Sequence, residues 1–173
     1  MPWLTRLTLL LALLAPPAFA EGLYQVELIV FRQTSAPVLS SQRAPDDWAA
    51  GAPLAAASVR STALNSEAAT LASSEDYQVL LHQAWQQQVS ATKSTLALSD
   101  GQPQFGHFPV EGTLSLRQAR FIEVKVDLWL NQFDADGLLS TSERLQQTSR
   151  LKNGEVTFID HGSLGLLLKI FPL

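Results

Sequence analysis

The sequence predicts an α+β fold in which an antiparallel β-sheet carries one or two helices packed on one face. The chain of 173 residues is 46% hydrophobic and only 16% charged, against roughly 25% charged residues in typical soluble domains, so it has the apolar content to fold. Its elements follow the order strand, helices, then a run of short strands with a period of two. It has no cysteine, so packing rather than disulfides or thiolate-bound metal must stabilise it.

Residues 1–20 predict a secretory signal peptide. A basic N-terminus precedes an apolar run that is too short to span a bilayer, and the segment ends in the small-x-small cleavage site AFA. We therefore expect a mature protein that begins at Glu21, folds as one domain over residues 21–173, and resides in the periplasm without membrane insertion. Cleavage removes Arg6 and leaves 11 basic against 16 acidic side chains, a net charge of −5.

The strand predictions rest on alternation and on turn residues. Residues 24–31 carry apolar side chains on both faces in their second half, which indicates a central strand. Further strands are predicted at 95–98, 113–116, 121–130 and 164–171. The triple leucine in the last of these indicates burial on both faces.

A long loop and two helices are predicted between the first strand and the others. Residues 34–63 are rich in Ala, Ser and Pro and lack any sustained period, which is typical of a surface loop. Residues 65–72 predict a short helix. At 75–88, apolar residues recur at helical spacing behind a weak capping box, which predicts a second and longer helix.

The dipeptide NG at 153–154 is the strongest hairpin signal, because a type I′ turn needs positive φ at both positions. In that two-residue register Lys152 lies opposite Glu155, and Arg150 lies opposite Thr157. These four residues then share one polar face. The apolar positions on the opposite face, assigned to the core, are Leu151, Val156 and Phe158.

The chemistry-bearing residues do not predict an enzyme, a cofactor or a metal site. The three histidines, His82, His107 and His161, match no ligand spacing, and the motifs H-E-x-x-H and G-x-S-x-G are absent. Residues 132–143 resemble a calcium loop without its first acid, and a turn whose carboxylates cap their own backbone is the favoured interpretation. Neither sign of charge forms a long run, so nucleic acid is not an expected partner.

Acidic residues on the predicted strand faces allow a second hypothesis. Glu123, Asp127 and Glu155 are formal candidates for a glycan-cleaving carboxylate pair, although solvated strand faces explain them more simply. The same polar faces combine acids and bases with Trp129. That composition suits a surface that binds sugars and charged peptide stems.

Five stretches, in their order and spacing, resemble one protein family. They are YQVELIVFRQ at 24–33, YQVLLHQAW at 77–85, EGTLSL at 111–116, VDLWL at 126–130, and residues 150–172. They resemble the CsiV family of bacterial periplasmic peptidoglycan-binding proteins, named for cell shape integrity. The resemblance implies a non-enzymatic protein that binds the cell wall and helps a bifunctional penicillin-binding protein work with its outer-membrane lipoprotein activator.

The predicted binding site follows from the hairpin register rather than from the resemblance. Two cations on a rigid hairpin suit the carboxylates of wall stem peptides, although a simple Lys152–Glu155 pair that holds the hairpin is an alternative. The predicted ligand-binding residues are Arg150, Lys152, Glu155, Asp160, His161 and Trp129. A wall hydrolase and an adaptor protein without wall affinity remain the alternative functions.

Overall fold

The computed structural model describes residues 21–34 and 42–173, so the predicted signal peptide at 1–20 lies outside the described residues. The eight strands described are β1 Gly22–Gln33, β2 Tyr77–Val89, β3 Ser94–Asp100, β4 Val110–Gln118, β5 Ile122–Phe133, β6 Leu139–Leu151, β7 Val156–His161 and β8 Leu164–Pro172. One α-helix, α1 Asn65–Ser73, and a short 3₁₀ helix, Ala55–Ser58, complete the described elements.

The strands form two four-stranded antiparallel sheets rather than the single sheet that was predicted. Sheet 1 has the order β2-β1-β8-β7, and sheet 2 has the order β3-β4-β5-β6. Apolar side chains from both sheets pack into one buried cluster, so the inner faces lie against each other. The α+β prediction therefore holds only broadly, because the described chain is mostly strand with a single α-helix.

Strand β1 is the predicted central strand, and it is buried on both faces. It pairs with β2 on one side and with β8 on the other. Its inward side chains, such as Leu28, join the core between the sheets. Its outward Ile29 and Phe31 form a second cluster with Leu64, against which Leu71 of α1 packs. The predicted short helix is thus confirmed, and it covers the outer face of sheet 1.

The longer predicted helix at 75–88 is wrong, because this segment is strand β2. A bulge occurs where Val30 pairs with Leu81 and the next residue, Phe31, pairs with Val79. The extra residue, Leu80, shifts the alternation by one position. Leu80 and Leu81 both pack on the main core, while Val79 packs on the outer cluster. A strand buried on both faces with a bulge therefore reproduces the apolar spacing of a helix.

The predicted hairpin at 153–154 is also wrong. A turn is present, closed by a hydrogen bond from the Glu155 amide to the Lys152 carbonyl (3.3 Å). Strand β6, however, pairs with β5, and β7 pairs with β8. Gly154 has positive φ, but Asn153 does not, so the type I′ twist that aligns two strands is missing. The turn instead carries the chain from sheet 2 to sheet 1.

This crossing reverses the predicted faces of β7. Leu151 is buried as expected, whereas Val156 and Phe158 are exposed and Ile159 enters the core. Phe158 lies on the outer face of sheet 1, where its ring stacks on Phe31 (6.2 Å between centroids).

The described part of the predicted loop, residues 42–63, forms a strap that lies first along sheet 2 and then along strand β2 of sheet 1. The Ala44 amide donates to the Ser142 hydroxyl of β6, the ring of Trp48 packs on Phe108, and Leu54 bridges to β3. The buried Glu27 carboxylate then accepts the amides of residues 63 and 64 just before α1. The strap covers the outer face of sheet 2 near Phe133, where β5 ends. The outer face near Ile122, where β5 begins, is not covered by the strap.

Candidate functional site

The candidate site is the uncovered outer face of sheet 2. Along β5, even-numbered side chains from Ile122 to Leu130 enter the core, as predicted from the alternation. Odd-numbered side chains point outward beside partners on β4 and β6. The charged and exposed polar residues of this open face are Arg117, Glu123, Lys125, Asp127, Arg144, Gln146, Thr148 and Arg150, and Thr113 and Ser115 of β4 lie among them.

One cluster of the open face is built around Asp127. Arg144 donates from Nε and Nη2 to the two carboxylate oxygens (2.8 and 2.9 Å), and Gln146 adds a third bond (2.8 Å). Burial raises the pKa of Asp127, but the bonds from Arg144 and Gln146 and the charges of Arg144 and Lys125 outweigh it and leave the pKa below its ordinary value. The carboxylate is therefore held ionised and fully partnered.

Arg144 also explains the position of Trp129. Its guanidinium carbon lies 4.9 Å from the centroid of the indole ring, which leaves Trp129 only 6% exposed. The indole therefore supports the face from below. It does not offer a free stacking surface for a sugar ring.

A second cluster lies where β4 turns into β5. Arg117 donates to Glu123 (2.6 Å), and this hydrogen bond and the charges of Arg117 and Arg150 hold the pKa of Glu123 below its ordinary value. The guanidinium carbons of Arg120 and Arg150 each lie 5.5 Å from the ring centroid of Phe121, which is 44% exposed. Two arginines thus flank one aromatic ring, and a third, Arg117, is bonded to Glu123 on the same connection.

Strand direction places further cations at the same end of the molecule. Lys93 immediately precedes β3, whose first residue pairs with Leu116 of β4, and Lys152 immediately follows β6. We call this the basic end. Its exposed cations are Lys93, Arg117, Arg120, Arg150 and Lys152, and its acids are Glu21, Glu123 and Glu155.

The opposite end of the sandwich has the reverse charge. Here β1 ends, β2 begins, and the loops that flank β5 and β7 carry a series of exposed acids. We call this the acidic end. Its exposed acids are Asp46, Asp47, Glu75, Asp76, Asp100, Asp134, Asp136 and Asp160, against the exposed cation Arg43. Arg32 also lies there, but the buried Glu143 pairs with it at 3.0 Å.

The arrangement can bind an anionic ligand at the basic end. Guanidinium groups match carboxylates in a two-bond geometry, and the ring of Phe121 offers an apolar surface beside them. A protein-family model described as peptidoglycan-binding protein, CsiV, matches the chain over residues 4–63 and 53–173.

The chain belongs to the CsiV family.

The resemblance of the five sequence stretches to CsiV proteins is thereby confirmed. Comparisons with curated proteins and with solved structures found no match. No helix in the described part of the chain has the length and the apolar character needed to cross a bilayer.

The structure brings two of the six predicted CsiV site residues onto one face. Arg150 lies beside Phe121, opposite Glu123 of β5 rather than Thr157, and Trp129 lies six residue pairs further along the same strand pair. Their common face is sheet 2, not a 150–157 hairpin. The neighbours of Arg150 are therefore Glu123, Phe121 and Arg120, and not the residues of a 150–157 hairpin.

The other four predicted residues do not lie on this strand pair, although Lys152 and Glu155 are at the same end of the molecule as Arg150. Lys152 pairs with Glu155 across the connecting turn (3.4 Å, both largely exposed), which matches the alternative of a simple ion pair. Asp160 and His161 lie at the far end of β7, in sheet 1. The structure therefore separates this pair from Arg150 by nearly the length of a strand.

The sequence interpretation missed Arg117, Arg120, Phe121 and Arg144. Three of these residues lie at the tight connection between β4 and β5. The fourth, Arg144, lies on β6, which pairs with β5. The sequence could not identify Arg144 as a site residue, because it does not show that β6, which carries Arg144, pairs with β5. The run RQARF at 117–121 was visible as a basic and aromatic cluster.

Two of the three histidines and the calcium-like loop have structural partners. His82 contacts Glu27 (2.8 Å), and His107 contacts Glu111 (2.7 Å). Asp134 accepts the amides of residues 136 and 138 (3.0 and 2.9 Å), so the turn interpretation of this loop is confirmed. Among residues 21–34 and 42–173, no group of three or more His, Cys, Asp or Glu is arranged to hold a metal ion.

Proposed function

We propose that this protein is a non-enzymatic periplasmic protein that binds peptidoglycan through its basic end. The observation that carries the proposal is the arginine cluster around Phe121, which has two more cations than acids on a chain that is acidic as a whole. The family description supports the ligand class. The site residues that we propose are Arg117, Arg120, Phe121 and Arg150, with Lys93 and Lys152 beside them.

Stem peptides of the wall carry carboxylates, which supply the charge that these arginines complement. Arg120 and Arg150 have Phe121 as their ring partner, and among residues 21–34 and 42–173 no carboxylate is hydrogen-bonded to either of them. Each can therefore donate to a ligand carboxylate in a charge-assisted bond of roughly 1.5–3 kcal/mol before solvent exposure weakens it. Arg117 is engaged with Glu123 and positions that acid away from the ligand.

The acids of the face support binding rather than cleavage. A glycan hydrolase needs one carboxylic acid whose pKa is raised so that it can donate a proton. Glu123 and Asp127 have lowered pKa values because arginines bind their carboxylates. Glu155 is exposed and paired with Lys152.

The cellular role that we propose follows from the family resemblance. The mature domain, residues 21–173, acts after cleavage of the predicted signal peptide. It supports wall synthesis by a bifunctional penicillin-binding protein and its outer-membrane lipoprotein activator.

The test is sedimentation of the mature protein with purified sacculi, followed by analysis of the soluble fraction. We expect pelleting of the protein without release of wall fragments. The double variant Arg120→Gln with Arg150→Gln should pellet at least tenfold less, whereas Arg43→Gln, an exposed arginine at the acidic end, should pellet like the wild type. Released fragments would indicate a hydrolase, and neither pelleting nor release would indicate an adaptor without wall affinity.

A further inference from the structure

A groove of about 440 Å³ lies at the acidic end, outside the proposed wall-binding site. It runs between the strap, the β3–β4 loop and the β5–β6 turn. The side chains that shape it are Arg43, Asp46, Phe105, His107, Asp134 and Leu138. None of them belongs to the basic end.

Two large apolar side chains of the groove are left in water. Phe105 is 77% exposed and Leu138 is 51% exposed. Phe105 has φ of +48°, a backbone conformation that is unusual for a bulky residue. The chain therefore presents an aromatic ring outward at a position where a turn would normally use glycine or asparagine.

The loop that carries Phe105 is firmly held. Residues 104 and 107 exchange two backbone hydrogen bonds (2.8 and 3.0 Å), and the indole of Trp48 donates to the Gly106 carbonyl (3.3 Å). Below them, the buried Glu111 accepts from His107, from the Phe108 amide and from Asn131. Phe105 is thus exposed on a rigid support rather than on a free loop.

The charge around the groove is negative. Asp46 and Asp134 line it, while Asp47 and Asp136 are their exposed neighbours, against Arg43. Stem-peptide carboxylates would be repelled here. A lysine- or arginine-bearing chain would be attracted, and the exposed ring would bury its apolar side chain.

We propose that this groove binds an extended, cationic segment of a partner protein that carries a central aliphatic or aromatic side chain. The apolar side chain packs on Phe105 and Leu138, and the flanking cations face the aspartates. The volume fits one or two side chains, which suits a single segment better than the broad basic end of a second copy. Together with the basic end, the groove would let one molecule contact an anionic polymer and a basic protein at once.

The experiment uses a short fluorescent lysine peptide with one central leucine as the probe, and measures its affinity for the mature protein by anisotropy. Matched peptides carry glutamate in place of lysine, or glycine in place of leucine. We expect the lysine-leucine peptide to bind at least tenfold more tightly than either. The variants Phe105→Asn with Leu138→Ser, and Asp47→Asn with Asp136→Asn, should each weaken binding at least tenfold. Phe158→Ser removes an exposed ring from sheet 1 and should have no effect.

Other outcomes would overturn the proposal. Equal binding of the glutamate peptide, or unchanged binding by both groove variants, would show that the groove does not select a cationic segment. Self-association of the protein that Phe105→Asn abolishes would assign the groove to a second copy. The groove variants should still pellet with sacculi, so failure of this inference is distinguishable from failure of the proposed wall site.

Discussion

The two ends of the sandwich differ in charge, in backbone support and in what they leave exposed. At the basic end, short connections place arginines beside Phe121, and the carboxylate of Glu123 is bonded to Arg117. At the acidic end, longer loops and the strap bury a network around Glu111 and expose aspartates beside Phe105. Phe121 is exposed at the basic end and Phe105 at the acidic end, but the charges around these two rings are opposite.

This difference shows that net charge is a poor guide to ligand class in this chain. The overall excess of acid suggests repulsion from an anionic wall. Strand direction, however, collects the acids at one end and leaves the other with more cations than acids. Charges further from a ligand than a Debye length of about 8–10 Å are largely screened, so a ligand at one end interacts with the charges of that end and not with the net charge of the protein.

Charge reversal at each end should have the largest effect on wall binding. Arg120→Glu with Arg150→Glu should reduce sacculus pelleting more than tenfold, because two donors become two repelling acids. Asp47→Lys with Asp136→Lys should leave pelleting unchanged or slightly stronger. Wild-type pelleting should also fall as salt rises from low to physiological ionic strength. If only overall charge mattered, the aspartate reversal would strengthen pelleting about as much as the arginine reversal weakens it, and that outcome would contradict a local site at the basic end.

Substitution of Glu143 should lower the stability of the protein without weakening its binding to sacculi. This buried acid joins the sheets, since it pairs with Arg32 of β1 and accepts the Ser163 hydroxyl. Glu143→Ala leaves both partners unsatisfied, and we expect the free energy of unfolding to fall by roughly 1–3 kcal/mol. Urea denaturation measures this loss, and pelleting of the folded variant should remain at the wild-type level. Reduced pelleting by folded protein would extend the wall site to the acidic end.

The exposed rings of Phe121 and Phe105 should have different ligands. Phe121→Ala should weaken sacculus binding about 2- to 5-fold, because Arg120 and Arg150 lose the ring contact that orders them, worth roughly 0.5–1 kcal/mol at an exposed site. Phe105→Asn should have no effect on this binding. Pelleting titrations measure both, and a larger effect from Phe105 would exchange the roles of the two ends.

The smallest expected effect is the pH dependence of the stability that the Asp127 cluster contributes. This cluster lies between the two ends. The folded pKa of Asp127 is below its ordinary value, so its stabilising contribution is complete above a pH of about 4 and is lost as the pH falls through the folded pKa. Asp127→Asn should therefore be less stable than wild type near neutral pH, by about 1 kcal/mol or less. The difference should shrink in acid. A difference that is constant with pH would show that the charge of Asp127 contributes nothing.

The sequence alone was sufficient to predict a strand and its buried faces where the side-chain alternation is regular. The alternation of β5 and the double-sided burial of β1 and β8 were both predicted correctly, since period and face are local properties. The Asp134 turn was also predictable, because an aspartate caps its own backbone with nearby amides.

Sequence was not sufficient where pairing between distant strands decides the outcome. The bulge beside Val30 makes β2 resemble a helix, and nothing within 75–88 reveals it. The turn at 153–154 keeps its hydrogen bond while its flanking strands pair with other strands. Because the predicted site depended on that hairpin, Arg150 was the right residue with the wrong neighbours, and the charge separation between the two ends was not visible.

The most direct test of the account is an NMR titration of the mature protein with a soluble disaccharide-peptide fragment of peptidoglycan. Assigned backbone and guanidinium signals should shift at Arg117, Arg120, Phe121 and Arg150, and the shifts should disappear when the carboxylates of the fragment are amidated. Signals of Phe105 and Leu138 should stay in place. Shifts confined to the acidic end, or shifts that survive amidation, would contradict the claim that the basic end binds the wall through its carboxylates.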